Sequence, residues 1–398
     1  MASPVDTSVK FFREDFPGAP VLNGVAGSLL SLLDACLCTG FGLRSATSLV
    51  VTGGVATLVL ASDAKNPNLL NSVVLVSGVT GALTALNGEQ RVTFASPTEI
   101  KFATAAADGT ATGSITVKTA PAGWEKKFPG TNTAGFKSLD VTSRGAHLWI
   151  NDTGTINANV RAYENMTGVD AGTGPAPTVA ESAAGGFWAK SEAASANAAR
   201  WNVFADGRAL YYCPVIGSVG QTVRVGQGAY FFGEPTAYKS GDAFATVIFS
   251  AASAPGQSAA PGSVFNANQS GAATRWLRSY TGLGGAVSAF APPVCGSPTT
   301  YSGLDGTLGR FPLPTDGGLR FSNILLMEGA LSGDASVLRG VLPGVYHVPQ
   351  SNLNASFAPG DRVTLAGRHF YAVCADSVFN VNTPGGGRGF FDITGPWR

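Results

Sequence analysis

LVVTGGVATLVL, residues 49–60, decides the fold class. Two β-branched and aliphatic runs, Leu49-Val50-Val51 and residues 55–60, flank Thr52-Gly53-Gly54. Glycines between such runs supply the positive backbone angles that a tight hairpin turn needs. The texture continues toward the C-terminus at residues 72–77 (SVVLVS), 90–94 after the Asn87-Gly88 turn, 99–104 and 114–119, at a spacing of about ten residues that suits a small all-β module. That module is expected over residues 46–119.

Ala120-Pro121-Ala122-Gly123-Trp124 marks a boundary. Beyond it, strands are expected at residues 146–151, 161–166, 201–205, 209–215, 230–233, 243–251, 321–328, 362–365, 369–376 and 388–393, separated by Gly/Ala/Ser/Pro loops. Residues 120–398 therefore read as one large antiparallel β-sandwich-type domain. The stretches 172–186 and 251–271 are too apolar for solvated linkers and are expected as surface loops ordered by neighbours. The fold class is mainly β.

On the N-terminal side, residues 1–45 read as an arm and a helix. Val25, Leu29, Leu33 and Leu37 recur every four residues, with Leu30 and Cys36 beside the stripe, Asn23 able to cap the start and Gly40 the end. An amphipathic helix is expected over residues 24–38. Arg13-Glu14-Asp15 and two prolines before the apolar run are the wrong flank for a secretory signal. Asp34 spoils the lipobox-like Leu33-Asp34-Ala35-Cys36. Cys36 and Cys38 would point about 200° apart on a helix, with no neighbouring ligands to complete a zinc site.

Charged residues make up 13% of the 398-residue chain, about half the usual ~25%, so a large neutral surface is expected, of the kind neighbouring subunits cover. No apolar run reaches the about 18 residues of a membrane span. Net charge is +1, with Lys and Arg scattered, which lacks the basic footprint of a nucleic-acid binder. Five cysteines, mostly far apart, argue against a disulfide framework and for folding in a reducing compartment.

Signatures of chemistry are sparse. Gly385-Gly386-Gly387-Arg388-Gly389 lacks the Lys-Ser/Thr of a phosphate loop, and no nucleophile elbow, HExxH helix or EF-hand loop occurs. His147, His347 and His369 lie in separate expected elements; in AHLWIND, alternation puts His147, Trp149 and Asn151 on one face and Leu148 and Ile150 on the other. Glu164, Glu328 and Asp361 are the carboxylates from which a glycosidase pair would have to be drawn. No catalytic residue, cofactor or metal site is expected.

Three stretches carry a resemblance: VKFFREDFPGAPVLNGVAGSLLSLLDACLCTGFG (residues 9–42), APAGWEKKFPGTNTAGFKS (residues 120–138) and GRGFFDITGPWR (residues 387–398). Together they resemble structural proteins that tailed bacteriophages and prophages encode among their virion tail genes. The module at 46–119 also looks like small domains common in phage tail proteins, through Val55-Ala56-Thr57, residues 73–78, Leu86-Asn87-Gly88 and Phe102-Ala103-Thr104. It departs from their pattern at residues 62–71, SDAKNPNLLN.

The resemblance implies a non-enzymatic virion subunit of the tail tip, baseplate or fibre-attachment region, assembled in the host bacterial cytoplasm in several copies. Its partners would be copies of itself and other tail proteins. Expected interface residues are Leu29, Leu33, Leu37, Phe390, Phe391, Trp397 and Arg398. The alternatives are a module binding host-surface glycan by stacking on Trp188, Trp276 and Tyr280, and a head decoration protein.

Overall fold

A computed structural model describes residues 3–215, 228–254, 262–265, 273–278, 286–291, 308–329, 336–375 and 387–398. The chain is mainly β, 48% strand and 8% helical, in several antiparallel sheets.

Residues 49–60 form the expected hairpin. Phe41–Thr52 pairs with Val55–Leu60, closing on the Thr52–Val55 pair, and Gly53 and Gly54 turn the chain at φ 58° and 77°, as a two-residue turn of the right twist requires. Leu49, Val51, Ala56, Leu58 and Leu60 face inward. Glu99–Ala103, Gly88–Ala95, Val73–Ser77 and Thr116–Thr119 carry the pairing from Val55–Leu60 round to Phe41–Thr52 again, so the path closes as a small barrel, with Gly109–Thr110 at its edge. The first strand starts at Phe41, ahead of the expected boundary at 46. In the departing stretch 62–71, the short 3-10 helix Asn66–Leu69 is anchored by buried Asn66, which accepts from Arg44 (3.0 Å) and donates to the carbonyls of Ser96 and Glu99.

The helix is shorter than expected: Ser28–Asp34, continued by a π-turn over Ala35–Thr39. Gly27 at φ 83° interrupts it on the N-terminal side. Asn23 turns back onto the Val25 amide at 3.1 Å and caps no helix end, and Val25 is 47% exposed. The cap comes from a distant segment, since Asp152 Oδ2 accepts the amides of Leu29 (2.8 Å) and Leu30 (3.1 Å). Lys190 pairs with the other Asp152 oxygen and donates to the Val25 carbonyl at 2.8 Å. Both side chains are fully buried. Burial pushes the Asp152 carboxyl up and the Lys190 ammonium down, against their mutual attraction.

The region 120–398 forms two antiparallel sheets, consistent with the expected sandwich-type fold, and the N-terminal arm adds a strand to the larger one. Trp124–Pro129, Thr133–Ser138, His147–Asn151, Asn157–Gly168 and Ala171–Ala176 pair in chain order, and Gly186–Ala189 joins Asn157–Gly168. Residues 171–176 are thus a strand, where 172–186 had read as a loop. Hydrogen bonding needs only the backbone, so small residues suffice on this sheet edge.

In the larger sheet, arm residues Lys10–Arg13 pair with Arg200–Ala205, followed by Ala209–Val215, Tyr230–Gly233, Phe244–Ile248, Arg275–Arg278 and Ala286–Phe290. Ser322–Glu328, Val337–His347, Arg388–Asp392, Arg368–Cys374 and Arg362–Leu365 continue the path. The sheet folds over on itself: Phe204 stacks on Phe391 at 4.1 Å and Phe11 meets Tyr371 at 5.9 Å. Only parts of 251–271 are described; Val264 and Phe265 there are buried in the core, contrary to a surface loop.

Every residue of Ala209–Val215 is buried, because both faces of the strand are covered. Tyr211 packs on Phe391 (5.0 Å) and Trp397 (5.6 Å), whereas Tyr212, pointing the other way, packs on Trp188 (5.7 Å) from the smaller sheet. Their hydroxyls donate to the carbonyls of Pro343 (2.7 Å) and Ala189 (3.0 Å).

Arg91 of the barrel ties it to this body by donating to the carbonyls of Asp6 (2.7 Å), Asn71 (2.9 Å), Ile393 (2.6 Å) and Val9 (3.0 Å). Desolvation pulls its pKa down to about 10.

Replacing Lys190 with Met strands the buried Asp152 charge, and stability should fall by about 3–5 kcal/mol, read as a lower urea midpoint. A loss below about 1 kcal/mol would mean that the pair does not hold the helix in place.

Candidate functional site at the Asp206 junction

The turn at residues 206–208 joins the strands Arg200–Ala205 and Ala209–Val215. Asp206 shapes it by accepting the amides of Arg208 (2.8 Å) and Ala209 (2.7 Å) on Oδ1. An aspartate followed by glycine does this readily, since its short carboxylate reaches amides two and three residues on.

Distant segments meet here. Trp124 Nε1 donates to the Asp206 carbonyl at 2.9 Å, and the Ser138 hydroxyl donates to that of Gly207. Arg398 Nη2 lies 3.0 and 2.9 Å from the two Asp206 carboxylate oxygens, while its Nη1 donates to the Glu234 carbonyl. Asp206 is only 7% exposed.

Beside the junction lies a polar cleft of about 200 Å³ lined by Thr142, Arg144, Arg208, Glu234, Lys239 and Asp242, among others. Glu234 Oε1 accepts the Ser143 hydroxyl (2.8 Å) and the Arg144 amide. Both Asp242 oxygens accept from Arg339 Nη1, at 2.7 and 2.6 Å, and Arg339 Nε also donates to Glu328 at 2.6 Å. The Thr142 hydroxyl, followed by the Thr142 amide and the charges of Arg208 and Arg398, holds the Asp140 carboxyl below the usual range.

The expected interface residues are placed inside the chain's own fold. Leu29, Leu33 and Leu37 are buried in its core, as are Phe390 and Phe391. The helix stripe therefore packs on its own β body. Trp397 is half-buried, donating to the Asp392 carbonyl at 2.9 Å, and Arg398 is held at Asp206. Trp188 and Trp276 are also buried, their indoles donating to the carbonyls of Phe249 (2.8 Å) and Met327 (3.0 Å). Stacking on a sugar needs an open ring face, so neither can supply it in this fold. Tyr280 lies outside the described residues.

No site forms from the other singled-out groups among the described residues. Cys36, Cys213 and Cys374 are buried and Cys38 is half-buried; desolvation pushes the Cys38 thiol up to about 12, which leaves it protonated. Cys295 lies outside the described residues. No group of three or more His, Cys, Asp or Glu is arranged to hold a metal among those described, and no described helix is long and apolar enough to cross a membrane. Glu328 is engaged by Arg339, Asp361 accepts the Ala358 amide at 2.7 Å, and Glu164 is buried on the strand Asn157–Gly168.

AHLWIND alternates as expected. Leu148 and Ile150 enter the main core, while Trp149 joins Tyr163, Met166 and Phe128 in a separate cluster on the other face. His147 lies on that face, 6.0 Å from Phe128, and its Nδ1 has no hydrogen-bond partner among the described residues. Sequence reasoning missed the junction itself. Its signal was the Asp206-Gly207 dipeptide between two expected strands, a strong hairpin cue.

Comparison of the chain with protein-family models and with curated proteins finds no match.

Burial, aided by the charges of Lys137 and Lys127, pulls His147 down to about 4 from 6.5. Between those values the unfolded chain binds a proton that the folded chain does not, so stability should fall as pH drops from 6.5 to 4, by roughly 2–3 kcal/mol. His147→Gln should flatten that part of the stability profile; an unchanged slope would show that His147 is not its source.

Proposed function

We propose that this chain is a non-enzymatic structural subunit of a tailed-phage virion, in the tail tip, baseplate or fibre-attachment region. It works by protein–protein contact, in several copies, with other tail proteins as neighbours, and assembles in the host bacterial cytoplasm. The observation that carries the reading is that the three stretches resembling phage tail proteins meet in one scaffold. The first supplies Lys10–Arg13 beside Arg200–Ala205, the second supplies Trp124 and Ser138 at the Asp206 turn, and the third supplies Arg398. What these stretches share is architecture. None of their side chains named here is arranged around a reacting centre.

Large apolar side chains are exposed on several outer surfaces of a chain with few charged residues. On the barrel, Val50 and Val55 are exposed, as is Phe94 beneath the Lys101 ammonium, and Leu139 and Val141 are exposed beside the junction. Contacts through such surfaces suit a subunit that is covered on assembly. Glycan binding through the buried Trp188 and Trp276 is not part of the proposal.

Mass spectrometry and cryo-EM of purified virions from a phage encoding this chain test the reading. The chain should be present, with density in the distal tail at the low copy number of a tail part. Its absence from particles would overturn the proposal, and hundreds of copies on the capsid would move it to head decoration.

A further inference from the structure

We propose that the cleft beside the Asp206 junction binds the carboxylate of a small acidic sugar, with Arg208 and Lys239 as the recognising cations. The proposal does not depend on the virion reading.

Three cations and two carboxylates are among the groups lining the cleft, and both carboxylates are occupied. Asp242 is chelated by Arg339, and Glu234 accepts the Ser143 hydroxyl and the Arg144 amide. Two of the cations are not matched in this way. Arg208 approaches Asp140 and Glu234 only at 3.8 and 3.7 Å, too far for hydrogen bonds, so its planar set of donors is in a carboxylate's field without bonding to it. The side chain is 25% exposed and lines the cleft. Lys239 is exposed and has no ion-pair partner among the described residues.

The geometry also limits the occupant. A guanidinium fork matches a planar carboxylate in two parallel hydrogen bonds, and an ammonium adds a point charge beside it. Ser240 offers a hydroxyl to ring oxygens, while Pro235 and Ala237 offer a small apolar wall; the Thr142 hydroxyl is already donated to Asp140 at 2.6 Å. Cations for one anionic group, a hydroxyl and a small apolar wall together suit a uronic-acid-like sugar. At about 200 Å³ the cleft is below the ~300–1,000 Å³ typical of drug-sized ligands, so one residue of a saccharide enters at a time.

Ligand-observed NMR on the full chain at low salt, with D-glucuronate, D-glucose and inorganic phosphate as probes, tests this. D-glucuronate should bind saturably and more weakly as salt rises, with no saturable signal from D-glucose. Arg208→Gln and Lys239→Gln should each weaken D-glucuronate by roughly tenfold or more, the scale of a lost charge-assisted contact. If Arg208→Gln lowers the melting temperature, the exposed Lys239→Gln variant decides alone. The proposal fails if D-glucuronate does not bind, if D-glucose binds equally, if only phosphate binds, or if D-glucuronate binding survives Lys239→Gln unchanged.

Discussion

The strand Ala209–Val215 has no face toward water, and much of the architecture follows from that constraint. A strand buried on both sides must pair every polar group it carries with protein. Two sheet neighbours take its backbone, Arg200–Ala205 and Tyr230–Gly233, and the Tyr211 and Tyr212 hydroxyls reach carbonyls in opposite layers. The turn that feeds the strand is under the same demand. Asp206 meets it by binding its own loop on one side and Arg398 on the other, so the C-terminus is drawn against the core.

Similar logic accounts for where the few charges go. Low charge suggested a neutral surface, and the structure adds that several of the charges present act as internal fasteners. Lys190 and Asp152 hold the helix start, Arg398 and Asp206 hold the chain end, and Arg91 gathers four carbonyls from the arm, the barrel and the C-terminal strand. Arg91 uses carbonyls rather than carboxylates, which satisfies its donors without burying a second charge. Arg208 is held more loosely, approaching Asp140 and Glu234 at 3.8 and 3.7 Å without a hydrogen bond to either.

Local signals made most of the β architecture legible. Gly53-Gly54 fixed a hairpin, and Ala209–Val215, Tyr230–Gly233 and Arg362–Leu365 were found at their observed bounds. The misses arose where distant residues override local ones. The helix start is set by Asp152, far away in sequence, and no local cap announces it. Val337–His347 was missed because Gly340, Pro343 and Gly344 look like turn residues; the pairing with Ser322–Glu328 shifts register there, which accommodates the proline. Apolar stripes at Leu29, Leu33 and Leu37 told which residues seek burial but not against which chain. The same ambiguity applied to Trp188 and Trp276, whose burial depends on a third layer that periodicity cannot reveal.

The Asp206 turn ties separate segments to the doubly buried strand. A double-mutant cycle with Asp206→Asn and Arg398→Gln, followed by chemical denaturation, tests it most directly. A coupling energy of about 1–3 kcal/mol is predicted. Additive losses, agreeing within about 0.5 kcal/mol, would mean that the Arg398 contact is incidental and does not tie the chain end to the turn.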